Sequence, residues 1–128
     1  MSEVIKPWDA HVNLRKALGD AAAGDVFLEM ARSYEPDHTL SARGVVRAIK
    51  DVAYELDIYP QAMLLEIPAG ADLKTAEPYV RGLLGSLQQT ASFYDTPAYK
   101  ELNDSATPRR YYAAIESAWT KVHPQPSV

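Results

Sequence analysis

The chain has 128 residues and no cysteine, is 47% hydrophobic and 23% charged, and carries a formal net charge of −4. This length and apolar content are typical of one globular domain that buries a core without disulfides or metal. The lack of cysteine excludes disulfide scaffolds, thiolate zinc sites and cysteine nucleophiles, and the mild negative charge opposes non-specific binding to phosphate backbones.

The pattern predicts a single helical domain over positions 1–128, with flexible tails at 1–6 and 124–128. No apolar run approaches the ~20 residues of a membrane span. The first residues also lack the apolar stretch of a secretory signal. We therefore expect a cytoplasmic protein with no membrane partner.

Apolar spacing and breaks at proline and glycine predict two helices in the first quarter of the chain. The first is expected from about Trp8 to Ala23, with Pro7 in its first turn. The pair Gly24-Asp25 is expected to separate it from the second. Glu35-Pro36 ends that second helix, because the residue before a proline is pushed out of the helical region.

The clearest amphipathic pattern lies in the third segment, which ends at about Leu56. Thr39 or Ser41 can cap its N-terminus. Its apolar residues repeat at spacings of four, three and four, as expected for a helix with one buried face. These residues are Val45, Ile49, Val52 and Leu56. Asp51 and Glu55 lie four residues apart and are expected on a solvated face.

The second half of the chain contains several shorter segments. Gln61 to Glu66 is a short helix or a strand, since periodicity does not separate the two in so short a run. Thr75 is expected to cap a helix that reaches about Ala91. Two Thr-Pro pairs, at Thr96 and Thr107, combine an N-cap with proline at the first helical position and are expected to open two more helices.

The segments together predict the fold class. β-branched residues do not alternate with polar ones over the length of a strand anywhere in the chain. Short connections between consecutive helices favour antiparallel neighbours. The predicted fold is therefore all-α, an irregular bundle of five to six short-to-medium antiparallel helices.

No catalytic or metal-binding pattern is recognised in the sequence. The histidines, His11, His38 and His123, are far apart, and no two of them lie four residues apart as a pair on one helix face. The glycines between Gly82 and Ser86 lie inside an apolar-periodic helix without the lysine of a phosphate-binding loop. We therefore predict no metal, no cofactor and no enzymatic activity.

Nucleic-acid binding through the basic face of the 40–56 helix is one alternative. That face comprises Arg43, Arg47, Lys50 and Tyr54. The segment after it follows a helix-turn-helix only in outline, because Gln61 and Glu66 are its only polar side chains for reading bases. With a negative net charge, a solvated helix face is the favoured interpretation, and nucleic acid is not the expected partner.

Tyrosine is the one compositional feature that points to a binding surface. Its large apolar ring and polar tip suit partly exposed interfaces. We predict a partner-binding patch near the proline turns, formed by Tyr59, Phe93, Tyr94 and Tyr99. The alternative that these rings fill the edge of the core stays open.

The leading functional hypothesis is a non-catalytic helical module for protein–protein interaction. Such a protein would act as an accessory, assembly, regulatory or inhibitory factor and would bind another protein or itself. The alternatives are a DNA-binding regulator that uses the basic helix face, and a small enzyme or ligand-binding bundle with a pocket lined by tyrosine and tryptophan.

Overall fold

The computed structural model describes residues 7–58, 67–68, 70–98 and 105–122. Within these residues the chain forms five α-helices and no β-strand, which confirms the predicted all-α bundle. The helices are α1 (Pro7–Ala17), α2 (Ala23–Arg32), α3 (Ala42–Leu56), α4 (Glu77–Tyr94) and α5 (Ala106–Val122). The predictions for positions 61–66 and for both tails lie outside the described residues, and so does most of the short helix predicted after Thr96.

The boundary between α1 and α2 differs from the prediction. α1 ends at Ala17 and does not continue to Ala23, because Gly19 has a φ of 92°, a left-handed conformation that interrupts the helix. α2 then begins at Ala23, so Gly24 lies inside its first turn and not in a loop. Gly24 is buried there against α5, where an added Cβ would lie 3.1 Å from Ser117 Oγ. The sequence pattern assigned the break to the wrong glycine.

α3 confirms the predicted helix closely. The Ser41 hydroxyl caps its N-terminus and accepts a hydrogen bond of 2.9 Å from the backbone N–H of Gly44. Its C-terminus is closed by Asp57 in the left-handed conformation. The predicted apolar stripe is buried, apart from the half-buried Leu56 at the last turn. The buried members are Val45, Ile49 and Val52, and Val46 and Ala53 beside them are also buried.

The starts of α4 and α5 lie close to the predicted positions but use different caps. Thr75 lies within a one-turn 3₁₀ helix, Leu73–Ala76, and Ala76 is the N-cap of α4 without a side-chain hydrogen bond. α5 begins at Ala106, so Thr107 is already inside the first turn. The inward faces of both helices are buried, and Tyr112 and Val122 of α5 are half-buried. The buried residues are Tyr79, Val80, Leu83, Leu84, Leu87, Ala91, Tyr111, Ile115, Ala118 and Trp119.

α2 lies at the centre of the bundle. It packs against α1, α3 and α5, while α4 packs against α5 and α3. α2 and α3 approach each other closely at Gly44, where an added Cβ would lie well under 3.0 Å from the carbonyl oxygen of Ala31. Because that distance is far below van der Waals contact, only glycine lets the two helices pack this closely.

We predict that Gly44→Ala lowers the free energy of unfolding by about 2–3 kcal/mol, because the added methyl group overlaps a backbone atom that cannot rotate away. The matched control is Gly85→Ala on α4, where an added Cβ would meet no atom within 4 Å. This control should raise the free energy of unfolding by about 0.5–1 kcal/mol through better helix propensity. Urea unfolding of both variants measures the difference, and equal effects would contradict the proposed helix contact.

Candidate functional site on the third helix

The polar side of α3 gathers three of the four residues of the predicted basic face. Arg47 and Tyr54 are exposed and Lys50 is half-buried, all on one side of the helix. Tyr54 is 70% exposed, the most accessible large apolar side chain among the described residues. The fourth residue, Arg43, is half-buried, with its Nη2 3.6 Å from Glu35 Oε1.

These three side chains line a shallow cavity of about 220 Å³ together with Tyr34 and Asp51. We call these five residues the α3 surface. Tyr34 follows the end of α2, and its half-buried ring reaches α3. Its hydroxyl donates a hydrogen bond to the Asp51 carboxylate. The guanidinium of Arg47 lies over the Tyr34 ring, 5.8 Å from the centroid.

Burial dominates the protonation behaviour of this hydrogen-bonded pair. It raises the pKa of Asp51 above its ordinary value, and the Tyr34 hydrogen bond, His11 and Arg47 only partly oppose the increase. Burial and the hydrogen bond to Asp51 both raise the pKa of Tyr34. Tyr34 therefore stays neutral and donates, while Asp51 accepts, at neutral pH.

A second carboxylate, Glu55, lies one turn further along α3 and joins three helices. Its Oε1 is 3.1 Å from His11 Nε2 and 3.2 Å from Arg15 Nε, both on α1. Its Oε2 accepts a hydrogen bond from the Tyr111 hydroxyl on α5. The Tyr111 hydroxyl is also 3.5 Å from His11 Nε2. Burial raises the pKa of Tyr111, with the Glu55 hydrogen bond adding to the effect.

The expectation that Asp51 and Glu55 form a solvated face is only partly right, because Glu55 is exposed but Asp51 is half-buried. Both carboxylates accept hydrogen bonds from tyrosines that other parts of the chain bring to α3. The spacing within α3 could not reveal this, because Tyr34 and Tyr111 lie 17 and 56 residues away in sequence. Tyr111 is 0% exposed, so its hydroxyl has no contact with solvent and its role in the network is structural.

The predicted aromatic patch is only partly within the described residues. Phe93 is 52% exposed near the end of α4, and Tyr94 beside it is half-buried. Their ring centroids are 6.5 Å apart. Tyr59 and Tyr99 lie outside the described residues, so a patch that combines all four remains a prediction.

The described residues contain neither a metal-binding cluster nor a membrane-spanning helix. No group of three or more potential ligand residues could hold a metal ion. None of the helices in the described ranges is long and apolar enough to cross a membrane. His11 and Glu55 lie together, but they participate in a hydrogen-bond network with Tyr111 and Arg15.

Comparison with known proteins gives no relative from which to transfer a function. No protein-family model, no curated protein and no solved structure matches the chain significantly.

We predict that Tyr111→Phe lowers the free energy of unfolding by about 1–3 kcal/mol, because Glu55 then loses a buried hydrogen-bond donor. The matched control is Tyr112→Phe on the same helix, whose hydroxyl bonds to the exposed Glu116. We expect that change to stay within about 0.5 kcal/mol. Urea unfolding compares the two, and equal losses would show that the Glu55 network adds nothing to stability.

We also predict that Asp51→Asn stabilises the fold in a pH-dependent way. The raised pKa means that the folded state binds the Asp51 proton more tightly than the unfolded state, so ionisation costs folding free energy. The stabilisation that the proton bound to Asp51 gives the folded state is present below the ordinary aspartate pKa of about 3.9. It is lost as pH rises through the higher pKa of Asp51 in the folded state. Asparagine cannot ionise, yet its amide oxygen can still accept from Tyr34.

The measurement is the difference in unfolding free energy between Asp51→Asn and the unmodified chain across the acid range. The difference should shift in favour of the variant as pH rises towards neutrality and then become constant. A shift in the opposite direction would mean that Arg47 and Tyr34 stabilise the ionised carboxylate more than burial destabilises it.

Proposed function

We propose that this chain is a non-catalytic module that binds another protein through the α3 surface. The observation that supports this most directly is Tyr54, a large aromatic side chain 70% exposed on a helix and not on a loop. Tyrosine and arginine are the residue types most enriched at the energetic centres of protein interfaces. Arg47 and Tyr54 place one of each on the same helix face.

The arrangement around Arg47 supports a binding role because the side chain is already held in place. Its guanidinium lies over the Tyr34 ring, and the Tyr34 hydroxyl is fixed by Asp51. Binding to Arg47 therefore loses less side-chain entropy than binding to a freely moving arginine. The cavity is also smaller than the ~300–1,000 Å³ typical of small-molecule sites, which favours a protein partner over a metabolite.

Charge favours an acidic protein segment over nucleic acid. Arg47 and Lys50 offer two cations, which suit a carboxylate, and Tyr54 beside them suits an apolar side chain. A phosphate backbone needs a continuous basic stripe. Here the Asp51 carboxylate lies within the surface and Glu35 lies beside Arg43, so negative charges interrupt the stripe. The partner we propose is an acidic segment that carries at least one exposed apolar residue.

The test replaces Tyr54 with the photocrosslinking residue benzoylphenylalanine, which retains an aromatic ring, in the cells that make the protein. We expect a protein adduct whose crosslinked segment, read by mass spectrometry, is acidic. Lys50→Glu should lower the yield of that adduct about tenfold, because it reverses a charge that faces the partner. Melting curves establish that the variants remain folded.

Two matched controls make the result specific. Lys16→Glu introduces the same charge reversal at an exposed position on α1 and should leave the yield unchanged. The same photocrosslinker at the exposed Glu116 on α5 should not give the adduct. Adducts that nuclease treatment removes would instead support the DNA-binding alternative. Identical adducts from positions 54 and 116 would contradict a specific α3 surface.

A further inference from the structure

α4, together with its C-cap Asp95, has a second, outward-facing stripe of exposed residues. Its members follow one another at spacings of three and four residues, the repeat by which one helix packs along another. All six are exposed. We call them the α4 stripe: Pro78, Arg81, Gly85, Gln88, Ser92 and Asp95.

Small side chains leave a depression in the middle of the α4 stripe. An added Cβ at Gly85 would meet no atom within 4 Å, whereas Gly24 and Gly44 each lie against a neighbouring helix. Gly85 and Ser92 line an open concave surface of about 570 Å³ together with Phe93, which is 52% exposed. A second helix can therefore pack closely against Gly85, as α2 packs closely against Gly44 inside the bundle.

The distribution of charge along α4 makes the α4 stripe complementary to an antiparallel copy of itself. Positions 82–94 contain no Asp, Glu, Lys or Arg, although such residues make up 23% of the chain. Exposed charges of opposite sign flank this uncharged segment, Arg81 before it and Asp95 after it. Gln88 lies midway, seven residues from each. A second α4 in antiparallel orientation would place the Arg81 of each copy beside the Asp95 of the other.

The neighbouring ion pairs extend this complementarity. Arg81 Nε lies 3.8 Å from Glu77 Oε1 within α4, and Asp95 pairs with Arg109 of α5. In the antiparallel pair, Glu77 and Arg81 of one copy would lie beside Asp95 and Arg109 of the other. Along the row Glu77, Arg81, Asp95, Arg109, negative and positive charges alternate. On a two-fold axis a residue meets the same residue of the second copy. With the axis at Gln88, two uncharged amides meet and no like charges are brought together.

We propose that the chain self-associates through the α4 stripe, with α4 of one copy packed antiparallel on α4 of a second copy. Gln88 lies at the two-fold axis, Gly85 faces Ser92 of the second copy, and an Arg81–Asp95 pair closes each end. This interface is separate from the α3 surface. It could therefore exist without the partner binding proposed above, and a failure of one proposal leaves the other intact.

The experiment is sedimentation velocity of the full chain from low micromolar to millimolar concentration, since an interface of one helix per copy lies at the small, weakly bound end of the range. We expect a concentration-dependent monomer–dimer equilibrium. Gln88→Glu should weaken it about tenfold, because two carboxylates then meet at the axis. Asn13→Asp makes the same amide-to-carboxylate change at an exposed position of α1 and should leave it unchanged.

Charge reversal tests the antiparallel orientation. Arg81→Asp and Asp95→Arg should each weaken self-association about tenfold, because each places like charges at both ends of the pair. An equimolar mixture of the two variants should recover dimers, because no like charges meet when one copy of each variant forms the pair. In the mixed dimer, one end pairs the two introduced charges, which are opposite in sign, and the other end pairs the unchanged Arg81 and Asp95. Circular dichroism melting shows whether each variant is folded. If Asp95→Arg unfolds, because its new arginine lies beside Arg109 of the same chain, Gln88→Glu still tests the interface.

Three results would overturn the proposal. The first is a chain that remains monomeric up to millimolar concentration. The second is a dimer that Gln88→Glu and Asn13→Asp weaken equally. The third is a mixture of folded Arg81→Asp and Asp95→Arg chains that forms no more dimer than either variant alone.

Discussion

The contact between α2 and α3 at Gly44 sets the geometry on which the candidate site depends. The missing side chain at this position lets α3 approach the Ala31 carbonyl oxygen more closely than any other residue type would allow. Because Tyr34 follows directly from the end of α2, this close approach brings its hydroxyl within reach of Asp51. The placement of Arg47 over the Tyr34 ring depends on the same contact.

Two carboxylates along α3, the half-buried Asp51 and the exposed Glu55, accept hydrogen bonds from tyrosines elsewhere in the chain. A carboxylate removed from water is costly unless hydrogen-bond donors replace the lost water. Tyr34 supplies such a donor to Asp51, while His11, Arg15 and Tyr111 surround Glu55. The polar side of α3 is therefore a point where α1, α5 and the end of α2 are joined, and Tyr54 lies exposed on the same helix.

The two proposed surfaces lie on different helices and have different chemistry. The α3 surface combines cations with an exposed tyrosine and suits an acidic partner of different sequence. The α4 stripe is uncharged in its centre and has opposite charges at its ends, which makes it complementary to itself. A homodimer formed through α4 could present two α3 surfaces, and a partner with two acidic segments would then bind with increased avidity.

The sequence by itself determined the helical content and the inward faces, because both follow from local periodicity. The spacing of Val45, Ile49 and Val52 is enough to predict a buried stripe, since neighbours on a helix face are only three or four residues apart. Only the tertiary structure decided the role of Glu55, because its main donor, Tyr111, is distant in sequence. It also decided that Gly44 permits a helix contact, because a glycine's role depends on which backbone approaches it.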